Sequence, residues 1–99
     1  MSISVTERDN LVSIAIKDRF DFHVHKAFRA AYVEKTDPQL NFEINLREAS
    51  YLDSSAIGML LLLRENLRPD QRIIIQHCSP DVKRLLEMAH MEGLGFTIA

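Results

Sequence analysis

Ninety-nine residues, 46% of them hydrophobic and 26% charged, describe one soluble domain with a core of its own and no room for a second. Net charge is −2, with Lys and Arg scattered along the chain, which leaves no basic stripe for nucleic acid. The single Cys78 excludes an intramolecular disulfide and fits a reducing compartment.

Ile3-Ser4-Val5 alternates as a half-buried strand does. Asp9-Asn10 tolerates left-handed backbone and leads into a second strand carrying Leu11, Ile14 and Ile16, so the two are expected to form a hairpin. Asp18 to Asp21 reads as a polar turn interrupted by Phe20. From His23 the period is helical, with Val24, Ala27, Phe28, Ala31 and Tyr32 at spacings of three and four, until Pro38 blocks continuation. Leu40, Phe42, Ile44 and Leu46 share one face of a third strand. A short polar turn follows, then a second helix from about Ser55 to Leu67, closed by Pro69-Asp70. Ile73-Ile74-Ile75 is an unbroken β-branched run, the mark of a strand covered on both faces. Ser79 caps a third helix with Pro80 at its first position, where a missing N–H costs nothing. Its expected inner stripe is Val82, Leu85, Leu86 and Ala89, and Gly93 ends it. Phe96 to Ile98 supplies a last strand.

The order β-β-α-β-α-β-α-β predicts an α/β domain. It should hold a mostly parallel sheet of four to five strands, an N-terminal β-hairpin and about three helices. The start, MSISVTERDN, lacks the charged segment and apolar run of a signal peptide. The longest near-continuous apolar run, Ala56 to Leu63, falls far short of the ~20 residues of a membrane span. A cytoplasmic protein without membrane contact is expected.

The chemistry gathers at Asp53-Ser54-Ser55, where a strand end, an acid, two hydroxyls and a helix N-terminus meet. Each residue suits an N-cap, because a side-chain oxygen can accept an unpaired amide N–H. The plain reading is that the serines only cap. The alternative is a reactive hydroxyl at the positive end of a helix dipole, exposed at one edge of a sheet. On a helical wheel Ala56, Leu60, Leu63 and Leu67, flanked by Met59, face the sheet. Ser55, Gly58, Leu62 and Glu65 line the opposite side, where Leu62 is out of place unless a partner covers it and Gly58 permits close approach. Ser54 has no elbow glycines of a serine hydrolase beside it, and no Gly-rich phosphate cradle exists. His23 and His25, and His77 beside Cys78, lack zinc-ligand spacing. No catalytic residue, metal or cofactor is expected.

Leu46 to Leu63, with YLDSSAIGMLL at its centre, resembles the signature of the STAS domain of bacterial anti-anti-sigma factors. Two further stretches agree. Arg19-Phe20-Asp21 stands where that family has a Gly-Glu-Leu-Asp-like turn, of which only Asp21 is retained, and Ser79-Pro80-Asp81-Val82-Lys83-Arg84-Leu85-Leu86 is similar to the family's Ser-Pro-x-Val-x-x-Leu helix start. The resemblance spans nearly all of residues 1–99 and implies a STAS fold. It also implies an anti-sigma factor antagonist, in which the Ser after the Asp is phosphorylated by a partner kinase; that Ser maps onto Ser54. The implied partners are an anti-sigma factor, often itself a serine kinase, and a serine phosphatase for reactivation. Asp21, Asp53, Ser54, Ser55, Gly58 and Leu62 are the expected partner-binding residues. Ala56 stands where the family usually has Gly, and the further helix common at the family's C-terminus is expected to be absent, since the sequence stops at Ala99. The rival reading is a STAS scaffold in another bacterial signalling assembly, acting on no sigma factor.

Overall fold

Asp9 and Asn10 both take left-handed backbone, φ 51° and 64°, and fold β1 (Ile3–Arg8) back onto β2 (Leu11–Ile16) as a two-residue hairpin. The computed structural model describes residues 2–99. After the hairpin come β3 (Asp18–Phe20), a 3-10 turn (Phe22–Val24), α1 (His25–Tyr32), β4 (Asn41–Asn45) and β5 (Ala49–Leu52). Then follow α2 (Ser54–Asn66), β6 (Ile73–Gln76), α3 (Pro80–Met88), a second 3-10 turn (Met91–Leu94) and β7 (Thr97–Ile98).

The main sheet has the order β1-β2-β4-β6-β7, antiparallel only at the hairpin. Its register aligns Ile14 with Ile44 and Ile44 with Ile75, and likewise Val12 with Phe42 and Phe42 with Ile73. These two rows are buried and join Phe28, Leu60, Leu63 and Leu86 in one core. The α/β class, the hairpin, the mostly parallel five-stranded sheet and the three helices are therefore as the hydrophobic pattern predicts.

The isoleucine run is not covered on both faces. Ile73 and Ile75 are buried while Ile74 is half-buried, as are Ser13, Ala15, Glu43 and Asn45 beside it on the neighbouring strands. One face of the sheet carries the core and the other is open and polar, so β-branching here reflects strand propensity rather than two-sided burial.

Two short strands escape the sequence reading. Asp18 to Phe20, a polar turn by its sequence pattern, pairs in parallel with Ala49 to Leu52, which overlaps the polar turn expected before α2. Neither shows a period of two: β5 buries only Ala49 and Leu52, and β3 only Phe20. They are strands because each completes the other's hydrogen bonds, a condition invisible in either segment alone.

Helix ends differ as well. The chain before α1 winds first as a 3-10 turn, so the α-helix itself starts at His25, and the expected inner stripe holds except at Ala27. Phe28, Ala31 and Tyr32 are buried, Val24 half-buried and Ala27 exposed. Leu67 leaves α2 in extended backbone and is only half-buried. Ser79 caps α3 through its side chain with Pro80 at the first position, as expected, and Val82 and Leu86 are buried. Leu85, however, is exposed, and Gly93 does not end the helix. His90 takes the left-handed position two residues after Met88, φ 56°, and Gly93 falls within the following 3-10 turn. A side chain at left-handed backbone carries a steric penalty that Gly lacks. His90→Gly should therefore raise stability by roughly 0.5–1 kcal/mol in urea unfolding, despite the entropy of an added glycine.

Candidate functional site

The pairing of β3 with β5 sets Phe20 opposite Leu52, both buried, and the next residue on each strand is an acid. Asp21 and Asp53 share almost the same extended backbone, φ/ψ of −141°/−171° and −130°/−173°. Neighbouring strands run about 4.8 Å apart, so the two acids leave the sheet edge together. Each caps the turn that follows. Asp53 Oδ1 accepts the backbone N–H groups of Ser55 at 3.0 Å and Ala56 at 3.3 Å; Asp21 Oδ1 accepts that of His23 at 3.0 Å. Asp53, not a serine, is thus the N-cap of α2, and Ser54 is its first helical residue.

The two serines fare differently. Ser55 donates its hydroxyl to Asp53 Oδ1 and is half-buried. Ser54 is exposed, and no protein group among the described residues takes its hydroxyl. Tyr51 donates to Asp53 Oδ2 at 3.4 Å. The Ser55 hydroxyl, then the N–H groups of Ala56 and Ser55 and the Tyr51 hydroxyl, hold the Asp53 carboxyl below its ordinary value against the opposing effect of desolvation. Asp21 is also lowered, by Arg19 foremost and then by His23. Only 6% of Asp21 is exposed; Arg19 Nε donates to its Oδ2 at 3.1 Å, and the Arg19 guanidinium lies 3.9 Å over the Tyr51 ring.

Along α2, Ala56, Met59, Leu60 and Leu63 are buried, while Gly58, Leu62 and Glu65 are exposed. The wheel is therefore oriented as read, with Leu62 58% exposed and nothing within 4 Å of the position a Cβ on Gly58 would take. Leu62 rims a largely apolar groove of about 100 Å³ between α1 and α2, together with Phe22, Arg29 and Met59. Phe22, 62% exposed and stacked on His25 at 4.0 Å, joins Leu62 as a second bare apolar side chain on this side. Sequence periodicity missed Phe22 because it precedes the helix; its only signal is a large apolar residue in a polar turn. Arg19 and Tyr51 were missed because their strands were.

Among the described residues, no cluster of three or more His, Cys, Asp or Glu side chains is placed to hold a metal ion, and no helix is long and apolar enough to cross a membrane. Cys78 is half-buried, and burial pushes its thiol up, away from the reactive thiolate.

The family model for the STAS domain matches residues 2–98. A STAS-domain-containing protein of Pseudomonas aeruginosa (strain UCBPP-PA14) is 42% identical over 84 residues, which cover 84% of this chain and 83% of that one. The anti-sigma factor antagonist SpoIIAA in its unphosphorylated form superposes with a TM-score of 0.73 at 19% identity, covering 98% of this chain and 86% of its own. The Bacillus cell fate determinant SpoIIAA in its phosphorylated form gives 0.68 at 18% identity, over 98% and 90%. At such identities the two solved structures establish likeness of fold.

Both site carboxyls bind protons more weakly in the folded than in the unfolded chain. Their contribution to stability is complete above the ordinary value of 3.8 and is lost as pH falls through the lower folded values. Acid titration of stability should therefore be flatter below about pH 4 in Asp21→Asn and Asp53→Asn than in the parent. In NMR titration, Ser55→Ala should raise the Asp53 value, whereas Ser54→Ala should leave it in place.

Proposed function

The chain belongs to the STAS domain family, and from that membership we propose that it is a protein-binding switch controlled by phosphorylation of Ser54. Unphosphorylated, the surface of Asp21, Asp53, Ser54, Ser55, Gly58 and Leu62 docks on an anti-sigma factor that is itself a serine kinase. Docking frees a sigma factor in the cytoplasm. The kinase transfers a phosphoryl group from a nucleoside triphosphate to Ser54 Oγ, which gives up its proton. A serine phosphatase later hydrolyses the ester and releases inorganic phosphate.

The observation that carries this reading is the division between the two serines. Asp53 occupies the Ser55 hydroxyl and leaves that of Ser54 exposed at the first position of α2. Likeness to SpoIIAA, an anti-sigma factor antagonist with unphosphorylated and phosphorylated forms, supports it further. Phosphate adds a charge of about −1.5 to −2. The dipole of α2 favours an anion at that end, so the fold need not change. A partner surface shaped for a neutral hydroxyl beside Asp53 meets a dianion instead. Each ~1.4 kcal/mol of lost binding is a factor of ten, so modest repulsion suffices for a switch. The role is that of a binding module rather than a catalyst.

Pull-down from bacterial extract tests the reading. Wild type and Ser54→Ala should capture an anti-sigma factor and Ser54→Asp should not, with melting temperatures nearly unchanged. Equal capture by all three, or phosphate mapped by mass spectrometry to Ser55, would overturn it.

The exposed stripe of α2 yields a second test, in which stability and docking move independently. Leu62→Ala should alter unfolding by under about 1 kcal/mol yet weaken docking by roughly 1–2 kcal/mol, as loss of an anchor does. Gly58→Ala should stabilise the fold by roughly 0.5–1 kcal/mol, since its methyl meets only space, while weakening docking of a closely packed partner. Unchanged binding in both variants would remove α2 from the interface.

A further inference from the structure

The face that carries Asp21 and Asp53 also carries a cation. Arg19 stands two residues before Asp21 and opposite Tyr51, which stands two residues before Asp53. Residues two apart on a strand point to the same side, so these four side chains share one face of the β3–β5 pair. Arg19 gives its Nε–H to Asp21 and lays its guanidinium on the Tyr51 ring. No carboxylate or carbonyl among the described residues takes its two Nη groups, and the side chain is 61% exposed. The Tyr51 hydroxyl beneath it reaches Asp53, the residue before Ser54. A guanidinium whose Nη groups meet no carboxylate or carbonyl among the described residues thus lies over the Tyr51 ring, and the hydroxyl of that ring reaches the acid before the candidate phosphoacceptor.

We infer that Arg19 is the phosphate receptor of this protein: once Ser54 is phosphorylated, the two Nη groups hydrogen-bond the phosphate oxygens while Nε stays on Asp21. The inference rests on the reading of Ser54 as phosphoacceptor. A phosphate dianion placed beside Asp53 needs a counter-charge, and a helix N-terminus offers the equivalent of only about half a charge. A planar guanidinium fork matches two phosphate oxygens at once, and contact with Asp21 leaves that fork unspent. The other charged groups at this face are Asp18, Asp21 and Asp53, which oppose the dianion, and His23, which favours it only when protonated. Paired with Arg19, the phosphate lies over β3 and β5 and away from Leu62.

The test installs phosphoserine at position 54 of the full chain during translation, so that no kinase is needed. Phosphorus NMR then follows the second ionisation of the phosphate in the parent, R19K and R19Q, each also with H23Q so that no imidazole contributes to the change. R19Q should raise that ionisation by about half a pH unit or more, with R19K in between because an ammonium keeps the charge and loses the fork. The Arg19 guanidinium resonances should move on phosphorylation. Equal ionisation in the parent and R19Q, or unmoved Arg19 resonances, overturns the inference. If R19Q fails to fold, R19K and the resonances of the parent decide. A phosphoserine protein that captures the same anti-sigma factor as the unmodified chain would overturn the switch and leave the receptor role intact.

Discussion

Parallel pairing of two very short strands, β3 and β5, is the constraint on which the site depends. Phe20 and Leu52 bury their side chains at the end of that pair and fix the register. Register decides which residues emerge next, and here both are aspartates. A slip of one residue would point Arg19 and Tyr51 to opposite faces and break the contact between them. The site is therefore precise because its anchor is apolar and buried, although every group it displays is polar.

From that anchor the two acids act as caps rather than as free charges. Each satisfies backbone N–H groups that would otherwise lack partners, and each is held ionised by its neighbours. The consequence for Ser54 is indirect. Asp53 engages Ser55 through Oδ1 and Tyr51 through Oδ2, and no hydrogen bond among the described residues joins it to the Ser54 hydroxyl. Capping and display are split between adjacent residues. The cap belongs to Asp53, the Ser55 hydroxyl is engaged by it, and the hydroxyl left exposed is that of Ser54.

The same economy appears in α2, where the two faces answer to different demands. Ala56, Leu60 and Leu63 close the core over the isoleucine rows of the sheet. Gly58, Leu62 and Glu65 add nothing to that packing, so they are free to serve a partner. A buried Ala56 suits the core face because Ala is small and has the highest helix propensity.

The amino-acid sequence by itself determined whatever depends on local period and punctuation. The hairpin at Asp9-Asn10, the buried row Leu40, Phe42, Ile44 and Leu46, the sheet-facing stripe of α2 and the Ser79-Pro80 start of α3 are each written within a few residues. Exposure of Leu62 was legible for the same reason, since a helix wheel needs no knowledge of distant contacts. Tertiary structure alone decided what depends on residues far apart in the chain. Asp18 to Phe20 and Ala49 to Leu52 are strands only in each other's company, so Arg19 on Tyr51 had no local signature. Which face of the sheet stays open, and that His90 rather than Gly93 turns the chain after α3, follow from how the layers close. Which serine Asp53 would take was likewise undecided until the cap geometry set its carboxylate on Ser55, because both hydroxyls lie within reach of an acid at a helix start.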